Sequence, residues 1–401
     1  MMGLQFDNDF VIIGQQPWDT EIGSNCKDIA LELSKTNRVL YVNSPLDRIT
    51  LYRNRNDPKV KKRLDVIKGR ANGLVKVNSN LWTYYPDCIV ESINWLNSSL
   101  IFDAINKYNN LKFSSSVRKA LTKLEFNNFI LFNDNEIFKG FYLKENLKPV
   151  ISIYYSRDFM IGVDYWKKHG VRLEAKLIGK SDLCFANSEY LADYCKQFNK
   201  NSYNVGQGCD VDDFIAAAGQ TIEELSSLNR KKIGYVGSLN SERLDVQIII
   251  DIAKHYTECY IILVGPEDEK FSQSELHQLK NVIFTGQKPV GNLPLYINSF
   301  DVCINPQVVN QITVGNYPRK IDEYLASGKA VVATKTKTME FFKDYVYLAD
   351  KPEDYISLLS TAMENDSESL KNARVAFALK HTWQESVQSM AKEIHKQLKV
   401  S

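Results

Sequence analysis

In the segment Pro318-Arg-Lys320-Ile-Asp-Glu323-Tyr-Leu-Ala-Ser-Gly328, a lysine and a glutamate stand one helical turn apart where a helix should begin. Pro318 suits the first helical turn, where its missing N–H costs nothing. Ile321, Tyr324 and Leu325 recur at i, i+3 and i+4 and predict the core face, and Gly328 predicts the C-cap. Lys320 and Glu323 are left on the side of the preceding loop, Thr313-Val-Gly315-Asn-Tyr317. Free N–H groups at a helix start, with a lysine beside them, suit a diphosphate. A carboxylate one turn further in can accept two hydrogen bonds from a ribose diol. Together these are the requirements for holding a nucleoside diphosphate. An ordinary surface helix with an exposed Lys320–Glu323 pair has the same spacing, so spacing alone leaves both readings open.

The neighbouring elements have the rhythm of a parallel sheet. Lys232 to Val236 reads as a strand ending at Gly237, and Val246 to Ala253 as a helix. Strands at Tyr260 to Val264, Val282 to Thr285 and Val302 to Asn305 end at Gly265-Pro266, Gly286 and an Asn-Pro step. Leu293 to Asn298 reads as a helix, and Ala330 to Thr334 as a further strand. In open parallel sheets, small molecules bind at the carboxyl ends of the strands. The first half shows a similar but weaker pattern, with strands at Phe10 to Ile13, Val39 to Val42, Phe129 to Phe132, Val150 to Tyr154 and Leu183 to Ala186, and a helix at Cys26 to Leu33 capped by Ser24 or Asn25.

Four hundred and one residues are more than one core usually organises. Two domains are expected, 1–206 and 207–378, with a C-terminal helix in 379–401 that packs back on the first. Val205 to Phe214, with two glycines and three aspartates, then the polar stretch to Arg230, reads as a linker or hinge. Fifty Lys+Arg against 48 Asp+Glu exclude a polyanion binder on net charge. Seven scattered cysteines without a C-x-x-C pair argue against a disulfide framework or zinc site. With no membrane-length apolar run and a polar Met1–Phe10, a cytoplasmic protein is expected.

Pro318-x-Lys320-x-x-Glu323-Tyr-Leu-Ala-x-Gly328-Lys-x-Val-Val resembles the donor motif of GT-B-fold glycosyltransferases, in particular the family 4-like retaining enzymes of bacterial polysaccharide assembly. Ile233-Gly-Tyr-Val-Gly237, Ile262-Leu-Val-Gly265-Pro266, Asn281 to Gly286, Ser299 to Pro306, Gly208-Cys-Asp210, Ser181 to Ser188 and Thr382-Trp383 resemble further family stretches. The resemblance implies two doubly wound Rossmann-like domains facing across a cleft. It implies transfer of a sugar from a nucleotide-sugar donor, with UDP favoured, to a saccharide or lipid-linked saccharide in cell-surface polysaccharide synthesis. The nucleotide sugar is then a substrate, and no cofactor, metal or nucleic acid is expected. Glu323 would take the ribose hydroxyls. Gly237, Ser238, Gly265, Gly315, Asn316, Tyr317 and Pro318 would offer backbone to the phosphates or sugar, and Gln287 and Lys288 would lie beside the base, largely through main-chain atoms. Arg243 would neutralise the leaving group, with Arg319 and Lys320 as alternatives, Asp158 would stand near the reacting sugar, and Glu21, Gly23 and Ser24 would position the acceptor.

The chain departs from the family pattern at three places. Gly315 stands where many relatives carry an acid, Ser238 and Leu244 replace an Arg and a Lys, and Tyr155-Ser-Arg157-Asp158 contains no histidine. These departures leave room for a catalytically silent nucleotide-sugar-binding or scaffold protein of the same fold. None of the five histidines has metal-ligand spacing with another, and His169 is expected to be an exposed helix-end residue. Arg48 to Arg70 carries nine Lys/Arg against Asp57 and Asp65, net +7. That run can be a solvated face, or it can meet anionic lipid or a lipid-linked diphosphate. Trp82, Tyr84, Tyr85 and Trp95 are expected in the core rather than on sugar rings.

Overall fold

The computed structural model describes residues 4–20, 24–310, 313–315 and 317–399. The chain divides into two compact units, Met1–Gly206 with Ser386–Ser401, and Gln207–Glu385. The later division falls at Ser386 rather than at 379. The Cys209 N–H donates to the His381 carbonyl at 2.8 Å, and Cys209 forms a parallel bridge with Thr382. These contacts keep 379–385 with the second unit. The expected hinge after Gly208 is also part of that unit's core. Val211 and Phe214 are buried with Ile321, Tyr324 and Leu325, and a Cβ on Gly208 would lie 2.2 Å from the Trp383 ring.

The second unit is built on six parallel strands in the order Val282–Gly286, Tyr260–Val264, Lys232–Val236, Val302–Asn305, Ala330–Thr334 and Tyr347–Ala349. Its central strands are apolar runs because side chains on both faces must be covered. Ile233, Leu263, Ile304 and Val332 pack one layer with the helix Val246–His255. Val236, Ile262, Cys303 and Val331 pack the other with the helix Arg319–Ala326. The chain order reverses between Lys232–Val236 and Val302–Asn305, which defines the switch point of the sheet.

The first unit has eight strands in the order Ser202–Asn204, Leu183–Ala186, Ile151–Ser156, Phe129–Asp134, Asp9–Gly14, Val39–Asn43, Leu81–Tyr84 and Leu74–Lys76. All pair in parallel except Leu74–Lys76. Here the order reverses between Asp9–Gly14 and Phe129–Asp134. The long helix Ser99–Leu124 and the helix Asp164–Lys180 also belong to this unit. Among the described residues no helix is long and apolar enough to cross a membrane.

Two expected placements are corrected. His169 is buried, stacked on Phe102 at 3.9 Å, with Nε2 2.8 Å from the Leu96 carbonyl. Its flanking lysines suggested a surface site, but it lies mid-helix facing the helix Ser99–Leu124. Tyr84 and Tyr85 are buried and Trp82 partly so, whereas Trp95 is 68% exposed. In the basic run, Arg63 is buried on Asp19 at 3.0 Å and Arg48 pairs with Glu91, so both are partly neutralised.

Candidate functional site

Beside the switch point of the second unit, the adjacent strands Lys232–Val236 and Tyr260–Val264 are followed by glycines whose conformations L side chains rarely adopt. Gly237 (φ 141°) donates its N–H to the Val264 carbonyl at 2.9 Å, and Gly265 (φ 148°) donates to Gly286 at 3.0 Å. A Cβ on Gly265 would lie 1.9 Å from the Gly237 carbonyl oxygen. Side chains are thereby kept off this edge, and the main chain is the surface it presents.

The helix Arg319–Ala326 is fixed against that edge. Ile321, Tyr324 and Leu325 are fully buried as the spacing predicts, and the Tyr324 hydroxyl accepts the Val236 N–H at 2.9 Å. Pro318 is the N-cap rather than the first helical residue, and no side chain caps the helix start. Lys320 Nζ donates to the Tyr235 hydroxyl, lies 4.3 Å from that ring's centre and is 3.1 Å from where a Gly237 Cβ would be. An ammonium therefore sits over the strand end, oriented by a phenol and a ring face. The Glu323 side chain is 16% exposed, with Arg319 Nε at 3.3 Å. Burial raises its pKa, and the Arg319 and Lys320 charges oppose that rise.

One residue before Glu323, Asp322 is fully buried with its Oδ1 2.8 Å from His381 Nδ1. Burial pushes the Asp322 carboxyl up and the histidine opposes it. The His381 ring packs edge-on against Phe377 at 4.4 Å. The Tyr317 side chain faces this cluster, edge-on to Phe342 at 5.4 Å, so only its main chain remains for the donor role that the resemblance implied. Asn305, at the end of its strand, is 3% exposed with an Nδ2 that has no hydrogen-bond partner among the described residues.

The other expected donor residues are placed as follows. Ser238 is exposed, and its carbonyl accepts the Tyr235 hydroxyl at 3.3 Å. Gly315 is buried in the turn that follows Thr313. Arg243 is exposed, with its carbonyl bound to the Val308 N–H at 2.9 Å and no ion pair among the described residues. Gln287 is exposed, and Lys288 pairs with Glu224 at 2.8 Å. Asn316, Glu21 and Gly23 lie outside the described residues.

The first unit's switch point is made of side chains. Asp134 is fully buried. Arg157 Nε meets its Oδ1 at 2.8 Å, while the other guanidinium nitrogens reach Asp158 Oδ2 and Gln15 Oε1, both at 2.9 Å. Asn135, at φ 53°, accepts the Arg157 N–H on its Oδ1 at 2.7 Å. Burial raises the Asp134 pKa against the pull of Arg157. Burial also works against the Arg157 charge, but Asp134 and Asp158 hold its pKa above the ordinary value. Asp158, the expected carboxylate, keeps 36% of its side chain exposed. Ser24 is the N-cap of the helix Asn25–Leu33, but its side chain makes no capping bond and its Oγ is buried without a partner among the described residues.

Residues 230–365 match the family model of Glycosyl transferases group 1. Over the whole length, sucrose-phosphate synthase of Thermosynechococcus elongatus superposes with a TM-score of 0.69 at 12% identity, covering 98% of this chain and 100% of that one. The chain has the GT-B glycosyltransferase fold. HepE of Anabaena, solved in complex with UDP and glucose, superposes with a TM-score of 0.63 at 15% identity, covering 97% and 99% of the two chains. By sequence, TuaH of Bacillus subtilis (strain 168), assigned as a teichuronic acid biosynthesis glycosyltransferase, is 27% identical over 227 residues. That alignment takes in 52% of this chain and 56% of the length of TuaH.

Of the residues that the motif reading singled out, the structure brings Gly237, Gly265 and Lys320 together at this strand edge and sets Glu323 beside Arg319 on the adjoining helix. The motif reading missed Tyr235, Asn305, the Asp322–His381 pair and the Asp134–Arg157 pair. An Asn-Asp-Asn run directly after an apolar strand was the available signal for Asp134.

Proposed function

We propose that the chain is a glycosyltransferase that moves a sugar from a nucleotide-sugar donor, UDP-linked by preference, to a saccharide or lipid-linked saccharide of a cell-surface polysaccharide, with retained configuration. The observation that carries this reading is Lys320 Nζ held over the Gly237 strand end beside an uncapped helix start, with Glu323 one turn further in. The bond from the anomeric carbon to the diphosphate oxygen breaks and a bond to the acceptor hydroxyl forms, with loss of that hydroxyl's proton. Negative charge grows on the departing diphosphate. Prepositioned amides and an ammonium stabilise such charge without reorganising, so we assign this role to them and to Arg243, and propose that no divalent metal is needed. Glu323 is assigned to the ribose hydroxyls and Asp158 to the side of the reacting sugar. The complexes of HepE with UDP, and with UDP and glucose, support the choice of UDP. The exposed cations between Arg53 and Arg70 are assigned to an anionic lipid surface.

The test is calorimetric. Wild type should bind UDP, and Glu323→Ala should weaken that binding at least about 30-fold, consistent with two charge-assisted hydrogen bonds lost, while melting within a few degrees of wild type. Unchanged UDP affinity in the variant removes Glu323 from the site. Binding without turnover on any sugar donor and lipid-linked acceptor would favour the silent reading that Gly315, Ser238 and Leu244 left open.

A further inference from the structure

The first unit contains a cavity of about 610 Å³ walled by the helix Arg48–Arg53, the stretch 90–95, Lys139 and the start of the helix Asp164–Lys180. Lys139 and the helix Asp164–Lys180 follow the strands Phe129–Asp134 and Ile151–Ser156 in the chain, and Asn106 and Asn109 of the helix Ser99–Leu124 complete the lining. The volume is that of a small-molecule site.

Its most unusual wall is the stretch 91–97, which has no regular structure of its own apart from a turn, yet is bonded on three sides. The Asn109 side chain donates to the Glu91 carbonyl at 2.9 Å and accepts the Glu91 N–H at 2.8 Å. Ser92 Oγ donates to Asp47 at 2.6 Å and accepts the Ile49 N–H at 3.0 Å. Asn94 Nδ2 donates to the Tyr165 carbonyl, and Lys168 reaches the Trp95 carbonyl at 3.1 Å and Asn97 Oδ1 at 2.6 Å. These bonds hold in place an indole that is 68% exposed, and Trp95 Nε1–H is itself tied to the Ser92 carbonyl at 2.8 Å. Tyr165, 60% exposed, lines the same cavity. A large exposed ring that has already lost its rotational freedom is prepared to receive a flat partner at low entropic cost.

The polar groups narrow the partner further. Asp47, Glu91 and Asp164 stand with Arg53, Lys139 and Lys168 around the lining, three charges of each sign, so their formal sum is zero and no net field favours an anion. A hydrocarbon chain would desolvate those six charges without pairing them. An uncharged ring with apolar C–H faces and hydroxyl edges suits both the exposed aromatic rings and the charged rim. We propose that this cavity is a saccharide subsite. Trp95 and Tyr165 carry an uncharged pyranose of the acceptor. The word acceptor rests on the glycosyl-transfer reading; the saccharide site does not.

The test is saturation-transfer NMR with millimolar methyl β-D-glucopyranoside, methyl β-D-galactopyranoside and methyl N-acetyl-β-D-glucosaminide, using wild type, Trp95→Ala and Trp95→Tyr. At least one glycoside should receive saturation on its ring C–H protons. That signal should fall to about a tenth or less in Trp95→Ala and persist in Trp95→Tyr. Melting curves check that the variants are folded. Silence of all three glycosides on wild type, or an equal signal in Trp95→Ala, overturns the proposal. UDP calorimetry on the same samples separates the two readings. Silent sugars with bound UDP remove only the subsite, whereas a Trp95-dependent sugar signal without UDP binding removes only the donor assignment.

Discussion

The carboxyl edges of the two sheets solve the same geometric problem with different materials. In the second unit the edge is main chain, with the Gly237 amide on the Val264 carbonyl, the Gly265 amide on the Gly286 carbonyl and one ammonium held over Gly237. In the first unit the edge is side chain, with Asp134, Arg157, Gln15, Asn135 and Asp158 bonded to one another. A main-chain edge suits a ligand of invariant shape, because backbone geometry cannot be changed one residue at a time. A side-chain edge can be rewired by substitution, which suits the partner that differs between enzymes of one fold. The difference should appear in which substitutions can be rescued.

The largest expected effect is Gly265→Ala. At φ 148° the new methyl would sit 1.9 Å from the Gly237 carbonyl oxygen, and no side chain can give way. Strain and overpacking together should cost about 3 kcal/mol or more, and UDP binding should be lost in calorimetry. Gly14→Ala in the first unit looks similar, with a Cβ 2.1 Å from the Tyr41 hydroxyl, but the obstacle there is a side chain. Gly14→Ala combined with Tyr41→Leu should recover about half of the lost stability in urea unfolding, whereas no second-site truncation should rescue Gly265→Ala. Equal rescue at both sites would erase the distinction between the edges.

Next in size is Arg157→Met, which strands a fully buried Asp134. An uncompensated buried charge costs about 3–5 kcal/mol. The sign of the pH dependence follows. With its cation gone, Asp134 is driven further toward the protonated form, so the variant's deficit should shrink as pH falls through the pKa of that carboxyl and grow as pH rises. Asp134→Asn in the Arg157→Met background should flatten the pH dependence. A deficit that does not change with pH would show that Asp134 is satisfied by something other than the guanidinium.

The second unit was more legible than the first because its information is local. Apolar runs stopped by glycine set its strands, and the i, i+3, i+4 spacing of Ile321, Tyr324 and Leu325 set the core face of the helix Arg319–Ala326. Asp322 was illegible because a carboxylate next to Glu323 reads as solvent-facing, and its partner His381 lies 59 positions later. In the first unit the helix Ser99–Leu124 buries Asn106, Asn109, Asn110, Ser114 and Ser116, whose amides and hydroxyls tie down neighbouring turns. Buried polar residues blur the 3.6-residue pattern, so that helix gave no signal. His169 and Trp95 were misplaced for a related reason. Only a distant element decides whether a polar or an aromatic side chain is covered, and here Phe102 stacks on His169 while nothing covers Trp95.

The smallest expected effect lies behind the first unit's edge. Glu174 is buried in the helix Asp164–Lys180. Its carboxylate accepts Tyr154 Oη at 2.6 Å and Tyr194 Oη at 3.1 Å, and the Tyr154 hydroxyl accepts Asn135 Nδ2 at 3.0 Å. Burial outweighs the two hydroxyls and pushes its pKa from 4.5 to about 7. A pKa raised on folding means that the folded state holds the proton more tightly than the unfolded chain. The resulting stabilisation is complete below the unfolded value of 4.5 and is lost as pH rises through about 7. Its ceiling is about 3 kcal/mol, from the pKa difference at 1.36 kcal/mol per unit. Glu174→Gln removes the titration and keeps the shape, so wild type should lose about 4 °C of melting temperature relative to the variant between about pH 5 and about pH 8. Above that range the two curves should run parallel. Curves parallel throughout would mean that the two tyrosine hydroxyls keep Glu174 ionised at its ordinary pKa, and that the bonds from Tyr154 to Asn135 do not change with pH.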